Sequence, residues 1–218
     1  MEPLTTTITP LQGFHFTFRD GIPGERELKL KAGCSVYVLH RLPKDVFVDP
    51  YELEQRALDG VLPNFKVWGE TDLELPVSSV KEGSLVLLGP VSATELELPF
   101  HARYPVPSSN DTHATISIQE PTLITMCEHA KSSNKDIQVL HTLFAPYEIP
   151  FDTKKIQMGI RPFRQDSPLI IRVPAGNPSH LQFVEPVTIL AVFVSVYYMG
   201  RAMWKSLRRP RPAHIKQD

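Results

Sequence analysis

Frequent prolines limit this chain more than any other sequence feature. The 218 residues include 21 prolines. A proline inside a helix removes a backbone hydrogen bond, and its ring clashes with the preceding turn. Prolines this closely spaced leave little room for long helices in the body of the chain. The sequence therefore predicts short strands that are joined by turns.

Alternating side chains support this expectation. Phe14, Phe16 and Phe18 alternate with polar residues, which is the period-two pattern of a half-buried strand. Further runs with strand character are Glu27–Lys31, Cys34–His40, Phe65–Trp68, Leu85–Leu88, Thr94–Leu98, Ala114–Ile118, Leu123–Cys127, Ile137–Leu140 and Leu169–Val173. The polar stretch Glu128–Asp136 is predicted to be a loop. Many short strands with turn residues between them predict a mainly β fold, an antiparallel β-sandwich-like domain.

One helix is predicted in the body of the chain. Asp49 is a good N-cap, Pro50 fits the first helical position, and Glu52 is placed to complete a capping box. Gly60 is suited to end the helix. Residues Asp49 and Pro50 thus have a structural reason to be present.

An apolar segment near the carboxyl terminus predicts a membrane span. Val187–Trp204 carries one charge, Arg201, and would extend about 27 Å as a helix that begins at Pro186. A basic cluster follows, and the positive-inside rule places it in the cytosol. The alternative is a buried core helix, because the uncharged part covers residues 187–200 only. The predicted divisions are 1–180 for the body, 181–204 for the juxtamembrane segment and transmembrane helix, and 205–218 for a basic tail.

The sequence lacks the common signatures of enzymes. The net charge is -1, which gives no reason to expect a nucleic-acid partner. None of the eight histidines forms an HxxxH or HExxH pair, so no metal site is predicted. There is no GxSxG, GxGxxG or GxxxxGK[ST] motif, and no catalytic residue or cofactor is predicted. An enzyme whose residues gather from separate strands remains an alternative.

Two segments carry a resemblance to a known family. Leu42–Leu53 reads LPKDVFVDPYEL, and Leu98–Pro105 reads LPFHARYP. With the apolar segment, they resemble the PIG-X family and its fungal PBN-type relatives. The resemblance implies a non-catalytic subunit that binds and stabilises the PIG-M-type polytopic catalytic subunit of GPI mannosyltransferase I in the endoplasmic reticulum (ER) membrane. A membrane-anchored ER chaperone or quality-control factor is the alternative.

The second segment contains the strongest candidates for site residues. In a strand, His101 and Arg103 would share one face and Tyr104 would lie on the other. The resemblance favours a surface that docks a partner, or supports docking, through these residues together with Asp49, Pro50 and Tyr51. The plainer interpretation is that Tyr104 packs in the core and Arg103 pairs with a carboxylate.

The positive-inside rule and the resemblance both imply a lumenal body and a cytosolic tail. The first 18 residues lack the pattern of a cleavable signal peptide, so a tail-anchored protein with a cytosolic body is the alternative. A lumenal body predicts glycosylation at Asn110, the first residue of the usable sequon Asn110-Asp111-Thr112. Composition alone leaves Cys34 and Cys127 as two buried thiols; in the lumen they are expected to pair and close a loop of roughly 90 residues.

Overall fold

The computed structural model describes residues 5–24, 28, 30, 33–128, 134–151, 156–162 and 169–208. The chain forms two compact units, Met1–Gly176 and Asn177–Asp218. The strands of the first unit are β1 (Thr5–Thr9), β2 (His15–Gly21), β3 (Cys34–Leu42), β4 (Val46–Phe47), β5 (Phe65–Gly69), β6 (Ser84–Leu88), β7 (Glu95–Ala102), β8 (His113–Ile118), β9 (Thr122–Glu128), β10 (Ile156–Pro162) and β11 (Leu169–Pro174). The helices are α1 (Pro50–Leu58) and α2 (Asn134–Phe144) in the first unit and α3 (Leu181–Leu207) in the second.

All the strand pairs in the sheets are antiparallel, as predicted. A four-stranded sheet has the order β1-β2-β7-β4, and a five-stranded sheet has the order β10-β9-β3-β6-β5. Strands β8 and β11 form a two-stranded sheet. Eight of the predicted runs fall in strands, namely β2, β3, β5, β6, β7, β8, β9 and β11. The mainly β, sandwich-like fold is therefore confirmed.

The five-stranded sheet is covered on both faces. Val36 and Val38 of β3 belong to a large core shared with the four-stranded sheet, whereas Leu39 belongs to a second core that includes α2. All five residues of β6 are buried. A strand that is buried on both faces reads as a continuous apolar run, which explains the sequence of Leu85–Leu88.

A buried polar chain links three strands. The Thr6 hydroxyl donates to Asp20 Oδ1 at 2.5 Å, and Asp20 Oδ2 lies 2.9 Å from His40 Nε2. The side chains of Asp20 and His40 are 0% and 1% exposed. Contact with one another lowers the cost of burying Thr6, Asp20 and His40 Nε2, whereas His40 Nδ1 has no hydrogen-bond partner among the described residues. The contacts tie the amino-terminal strand β1 to the interior of the domain.

The strand predicted at Ile137–Leu140 is wrong, because these residues lie in α2. Leu140 and Phe144 are both fully buried and lie four residues apart, so they occupy the same face of the helix. The loop predicted for Glu128–Asp136 is also wrong at its ends. Glu128 closes β9, and Asn134 begins α2; residues 129–133 lie outside the described part of the chain.

Two other local predictions differ from the structure. In the strand predicted at Glu27–Lys31, Leu28 instead donates its N–H to Gly24 O at 3.0 Å, which is a helical hydrogen bond; residues 27, 29 and 31 lie outside the described part. Helix α3 begins before Pro186, at Leu181. An earlier start is favoured because the Asn177 side chain accepts from Ser179 N and caps a 3-10 turn that leads into α3.

Helix α3 has 27 residues, and none of them is buried. At 1.5 Å per residue it is about 40 Å long, which exceeds the roughly 30 Å hydrocarbon layer. Within the described residues, one helical segment is long and apolar enough to cross a membrane, Pro178–Leu207, with a mean hydropathy of 1.6 over an 18-residue window. The hydroxyls of Thr188 and Ser195 donate to backbone carbonyls four residues earlier, so neither requires water.

Candidate functional site

The two segments that carry the family resemblance meet in the structure. Strand β4 lies in the first segment and pairs with β7, which contains part of the second, so that Phe47 faces His101. Helix α1 starts three residues after Phe47 and carries Glu52 to the same place. The neighbouring strand β2 adds His15 directly opposite His101. Side chains that are distant in sequence therefore form one cluster.

His101 lies in the middle of this cluster. Its Nε2 is 3.0 Å from Glu52 Oε2, and its Nδ1 is 2.8 Å from His15 Nδ1. A carboxylate only accepts, so Nε2 of His101 donates to Glu52, and the Nδ1 atoms of His101 and His15 share one hydrogen bond. The ring also stacks on Phe47 at a centroid distance of 5.4 Å. Both polar atoms of His101 are thus used within the protein.

Glu52 does not complete the predicted capping box. Its Oε1 accepts from Arg56 at 3.1 and 3.2 Å, and its Oε2 contacts His101. Asp49 is the N-cap, as predicted, and its Oδ1 accepts from Tyr51 N at 2.9 Å. Pro50 occupies the first turn. Asp49 and Pro50 therefore set the start of the helix that delivers Glu52 to His101.

Arg103 follows the end of β7 and is 2% exposed. Its Nη1 donates to Asp72 O at 2.6 Å and to Leu75 O at 3.0 Å, and Nη2 donates to Glu70 O at 3.4 Å. The guanidinium carbon lies 4.7 Å from the Phe47 ring centroid, which is a cation–π contact. Burial lowers the pKa of Arg103, and the charges of Glu70 and Asp72 act in the opposite direction.

Arg103 therefore supports, from the interior of the domain, the surface that the two family segments form. Its hydrogen bonds hold the loop of residues 70–75, and its own N–H donates to Asp45 O at 2.8 Å. The acceptors are backbone carbonyls, in place of the side-chain carboxylate that the plainer sequence interpretation expects. Because the side chain is buried, it influences the surface of the protein only through the loop that it positions.

Exposed tyrosines lie beside these buried groups. Tyr51 is 76% exposed and Tyr104 is 72% exposed, so Tyr104 is not a core residue. The Tyr104 ring packs against Phe14 at 5.3 Å. The start of α1 and the loop that Arg103 holds enclose an open groove of about 700 Å³. It is lined by Pro50, Tyr51, Glu54, Glu70, Thr71, Asp72, Leu73 and Glu74.

The other predicted site residues lie elsewhere in the first unit. Asn110 is exposed, between β7 and β8, where its N–H lies 3.3 Å from Ser108 Oγ. Cys34 and Cys127 face each other across the β3–β9 pair and are joined by a disulfide. Within the described ranges, no group of three or more His, Cys, Asp or Glu side chains is arranged to hold a metal ion.

Some members of the cluster, Phe47, Glu52 and His15, were not predicted from the sequence to be site residues. Phe47 and Glu52 lie in the first segment, but the sequence does not show that they contact His101. His15 reaches His101 through the register of β2 and β7, which brings together residues 86 positions apart. No local pattern carries that information.

The fold and the site define a class of protein: an antiparallel β domain that presents a shaped surface, followed in sequence by a helix suited to cross a membrane. Comparison with known proteins gives the family. The PIG-X / PBN1 family model matches residues 11–204, and this chain belongs to that family. The resemblance carried by the two segments is thereby confirmed.

Three relatives illustrate the match. Protein PBN1 of Debaryomyces hansenii is 28% identical, and the alignment covers 81% of this chain and 38% of that protein. Protein pbn1 of Schizosaccharomyces pombe is 26% identical, with coverage of 80% and 52%. The human "GPI alpha-1,4-mannosyltransferase I, stabilizing subunit" is 28% identical over 50% of this chain and 48% of its own length. The chain spans about half, or less, of the length of these relatives.

Proposed function

We propose that this chain is a non-catalytic subunit that binds and stabilises the PIG-M-type catalytic subunit of GPI mannosyltransferase I in the ER membrane. Membership of the PIG-X / PBN1 family and the name of the human relative support this function. One structural observation carries the argument: the two family segments form a single surface whose buried polar side chains are engaged within the protein. These internal contacts fix the shape of the surface, and we expect a partner to recognise that shape.

Tyrosines are the expected anchors of this interface. Tyr51 and Tyr104 each expose about three quarters of their surface, and tyrosine is enriched among the residues that dominate binding energy. Four acidic side chains line the groove beside Tyr51: Glu54, Glu70, Asp72 and Glu74. Charge complementarity then favours a partner loop that carries Lys or Arg.

Stabilisation follows from mass action. A protein that binds only the folded form of its partner lowers the unfolded fraction, and the effect grows with the ratio of its concentration to Kd. At a concentration 100 times Kd the folded partner gains about 2.7 kcal/mol. No bond has to be made or broken by this chain for the amount of active transferase to rise.

We further propose a lumenal body (1–180), a single span (181–204) and a cytosolic tail (205–218). The Cys34–Cys127 disulfide favours an oxidising compartment. Helix α3 has Glu185 near its start and Arg201 and Lys205 toward its end, which fits the positive-inside rule.

Glycosylation tests this orientation. Glycosidase treatment of the wild-type protein is expected to produce a mobility shift that Asn110→Gln abolishes. A protein modified at Asn110 has its body in the lumen. An unmodified Asn110, combined with protease sensitivity of the body in intact microsomes, would establish the tail-anchored topology.

Co-purification in mild detergent tests the function. We expect one stoichiometric polytopic partner, and at least a tenfold loss of that partner in the double variant Tyr51→Ala, Tyr104→Ala, because removing an interface anchor typically costs 1.4 kcal/mol or more (about a factor of ten). The matched control is Leu58→Ala, which is 77% exposed on the same helix, α1. The melting temperature of all three proteins should agree.

Other outcomes identify the alternatives. Many substoichiometric clients would indicate a quality-control factor. Variants that keep the complex but lose transferase turnover would indicate that this chain takes part in catalysis. Normal amounts of active transferase in cells that lack this chain would refute the proposed function.

A further inference from the structure

The carboxyl-terminal end of α3 carries its positive charges on one side. Arg201, Lys205 and Arg208 follow one another at spacings of four and three residues. An α-helix turns by about 100° per residue, so the three side chains lie within a sector of roughly 60°. The N–H of Arg208 donates to Trp204 O at 3.2 Å, which extends the helical geometry to the third cation. The three residues form a basic face about 10 Å long.

The rest of these last two turns has a different character. Trp204 borders the basic face, and the guanidinium carbon of Arg208 lies 4.8 Å from the centroid of its ring, a cation–π contact. The opposite side of the helix carries the exposed apolar side chains of Met203 and Leu207. Charges spread around the helix would satisfy the positive-inside rule equally well. Their placement on one side therefore points to a ligand on that side.

The charges of the basic face are not neutralised within the described part of the chain. Arg201, Lys205 and Arg208 are exposed, and none of them forms a salt bridge with a described residue. The nearest acidic residues in the sequence are Glu185, at the other end of α3, and Asp218. Three cations on one face are thus available to an external anion.

Depth in the membrane brings the three cationic groups together. Residues 186–200 carry no charge, and the rise from Glu185 to Arg201 is about 24 Å, which is less than the roughly 30 Å hydrocarbon layer. With Glu185 at one surface, Arg201 lies just inside the opposite boundary, and its side chain extends outward to the headgroups. Side chains on a helix lean toward its amino terminus, as the ring contact of Arg208 shows, so Lys205 and Arg208 point back toward the same level.

We propose that the basic face binds the headgroup of an anionic phospholipid. Arg and Lys side chains only donate, and guanidinium groups bind phosphate oxygens through paired hydrogen bonds. Every phospholipid carries a phosphate, but the cation of a zwitterionic headgroup opposes the three positive charges of the face. A headgroup that carries negative charge alone matches them. Trp204 favours the same level, because tryptophan is enriched where headgroups meet the hydrocarbon layer.

A phospholipid matches these charges better than an acidic segment of another protein does. Headgroups always adjoin the end of a membrane-spanning helix, whereas a protein would have to present its acids at this particular depth. The inference rests on the proposed membrane span. It goes beyond the proposed function, because it assigns a lipid ligand to α3 and does not involve the Tyr51 and Tyr104 surface.

Quenching of Trp204 fluorescence by brominated lipids tests the proposal. The full chain carries Trp68→Phe, so that Trp204 is its single tryptophan, and is reconstituted into phosphatidylcholine vesicles that contain a minor fraction of phosphatidylglycerol. Either the phosphatidylglycerol or an equal amount of the phosphatidylcholine is brominated. We expect the phosphatidylglycerol to be enriched around Trp204 at least about fivefold, the factor that one basic side chain contributes at an anionic surface. The ratio of the two quenching values cancels any change in the depth of Trp204.

Two triple variants separate a site on the helix from diffuse attraction. The face variant replaces its three cations with glutamine: Arg201→Gln, Lys205→Gln and Arg208→Gln. The matched control removes the same charge from the sequence that follows: Arg209→Gln, Arg211→Gln and Lys216→Gln. We expect the face variant to lose most of the enrichment and the control to keep it.

Equal quenching by the two brominated lipids in the wild type would overturn the proposal. An equal loss of enrichment in the two triple variants would also overturn it, because diffuse attraction depends on total charge. A wild type without lipid preference, together with a face variant that loses its co-purified partner, would assign the face to an acidic protein segment instead. Failure of the two proposals can be told apart: absent enrichment with intact co-purification refutes the lipid site alone, and normal enrichment without a stoichiometric partner refutes the subunit function alone.

Discussion

Replacement of Arg103 tests whether this buried side chain holds the surface in place. Arg103→Ala removes two short hydrogen bonds, at 2.6 and 3.0 Å, and one long bond, at 3.4 Å. Hydrogen bonds from a charged donor contribute about 1.5–3 kcal/mol each, and the contact with Phe47 adds about 1 kcal/mol. The freed carbonyls of the 70–75 loop can regain water, which reduces the loss. We expect a loss of about 3–4 kcal/mol in the free energy of unfolding.

Arg103→Lys separates charge from geometry. The lysine keeps the positive charge, but a single ammonium group lacks the planar fork that reaches several carbonyls. We expect about half the loss of the alanine variant. The control is Arg56→Ala, whose ion pair with Glu52 is about one-third exposed on both sides; it should change stability by about 0.5 kcal/mol or less.

Thermal unfolding in detergent, followed by the fluorescence of Trp68 in the variants and in a wild type that all carry Trp204→Phe, measures these differences. A domain of this size shifts by about 2–4 °C per kcal/mol, so Arg103→Ala should melt roughly 10 °C lower. The proposed function further predicts that the amount of co-purified transferase decreases in the order wild type, lysine variant, alanine variant. An alanine variant that unfolds within about 1 kcal/mol of the wild type would refute the role assigned to Arg103.

Three further predictions concern the fold of the first unit. Replacing Cys34 and Cys127 with serine should lower the free energy of unfolding by roughly 4 to 5 kcal/mol, because the disulfide closes a loop with a sequence separation of 93. Thiol labelling of the denatured, non-reduced wild type should detect no free thiol. Phe144→Ala should lower the free energy of unfolding by about 3–5 kcal/mol, and the control Val139→Ala, on the exposed face of α2, should lower it far less. Equal melting temperatures of the two variants would show that α2 does not cover the sheet. Burial, and to a lesser extent Glu82, raises the pKa of Tyr147, so stability from its neutral hydroxyl is present below about pH 10 and is lost as the pH rises through the higher folded-state pKa. Alkaline unfolding of Tyr147→Phe should therefore show a smaller decline, and an unchanged pH profile would contradict this argument.

Features encoded by near neighbours were predictable from the sequence. Asp49, Pro50 and Gly60 mark the two ends of α1, and Gly60 adopts the positive φ of +72° that favours glycine at a helix end. Phe16 and Phe18 are buried as their alternation predicts. The strand predicted at Ile137–Leu140 was wrong because four residues are too few to distinguish the two-residue period of a strand from the 3.6-residue period of a helix. The helical period becomes visible only when Phe144 is included.

Features that depend on distant parts of the chain were not predictable. The acceptors of Arg103 are backbone carbonyls about 30 residues away, and every residue carries such a group, so no residue type marks them. The contact between His15 and His101 follows from the pairing of β2 with β7. The sequence identified His101 and Arg103 as notable without revealing that one is half-buried in a cluster and the other supports a loop.

The chain of contacts from Thr6 through Asp20 to His40 has a practical consequence for anyone handling this protein. Trimming the first strand would leave an aspartate in the interior without its hydroxyl donor, so even a deletion of a few residues should damage the whole sheet. Labels and purification handles are therefore better carried by the exposed turn near Asn110, once glycosylation there has been assessed.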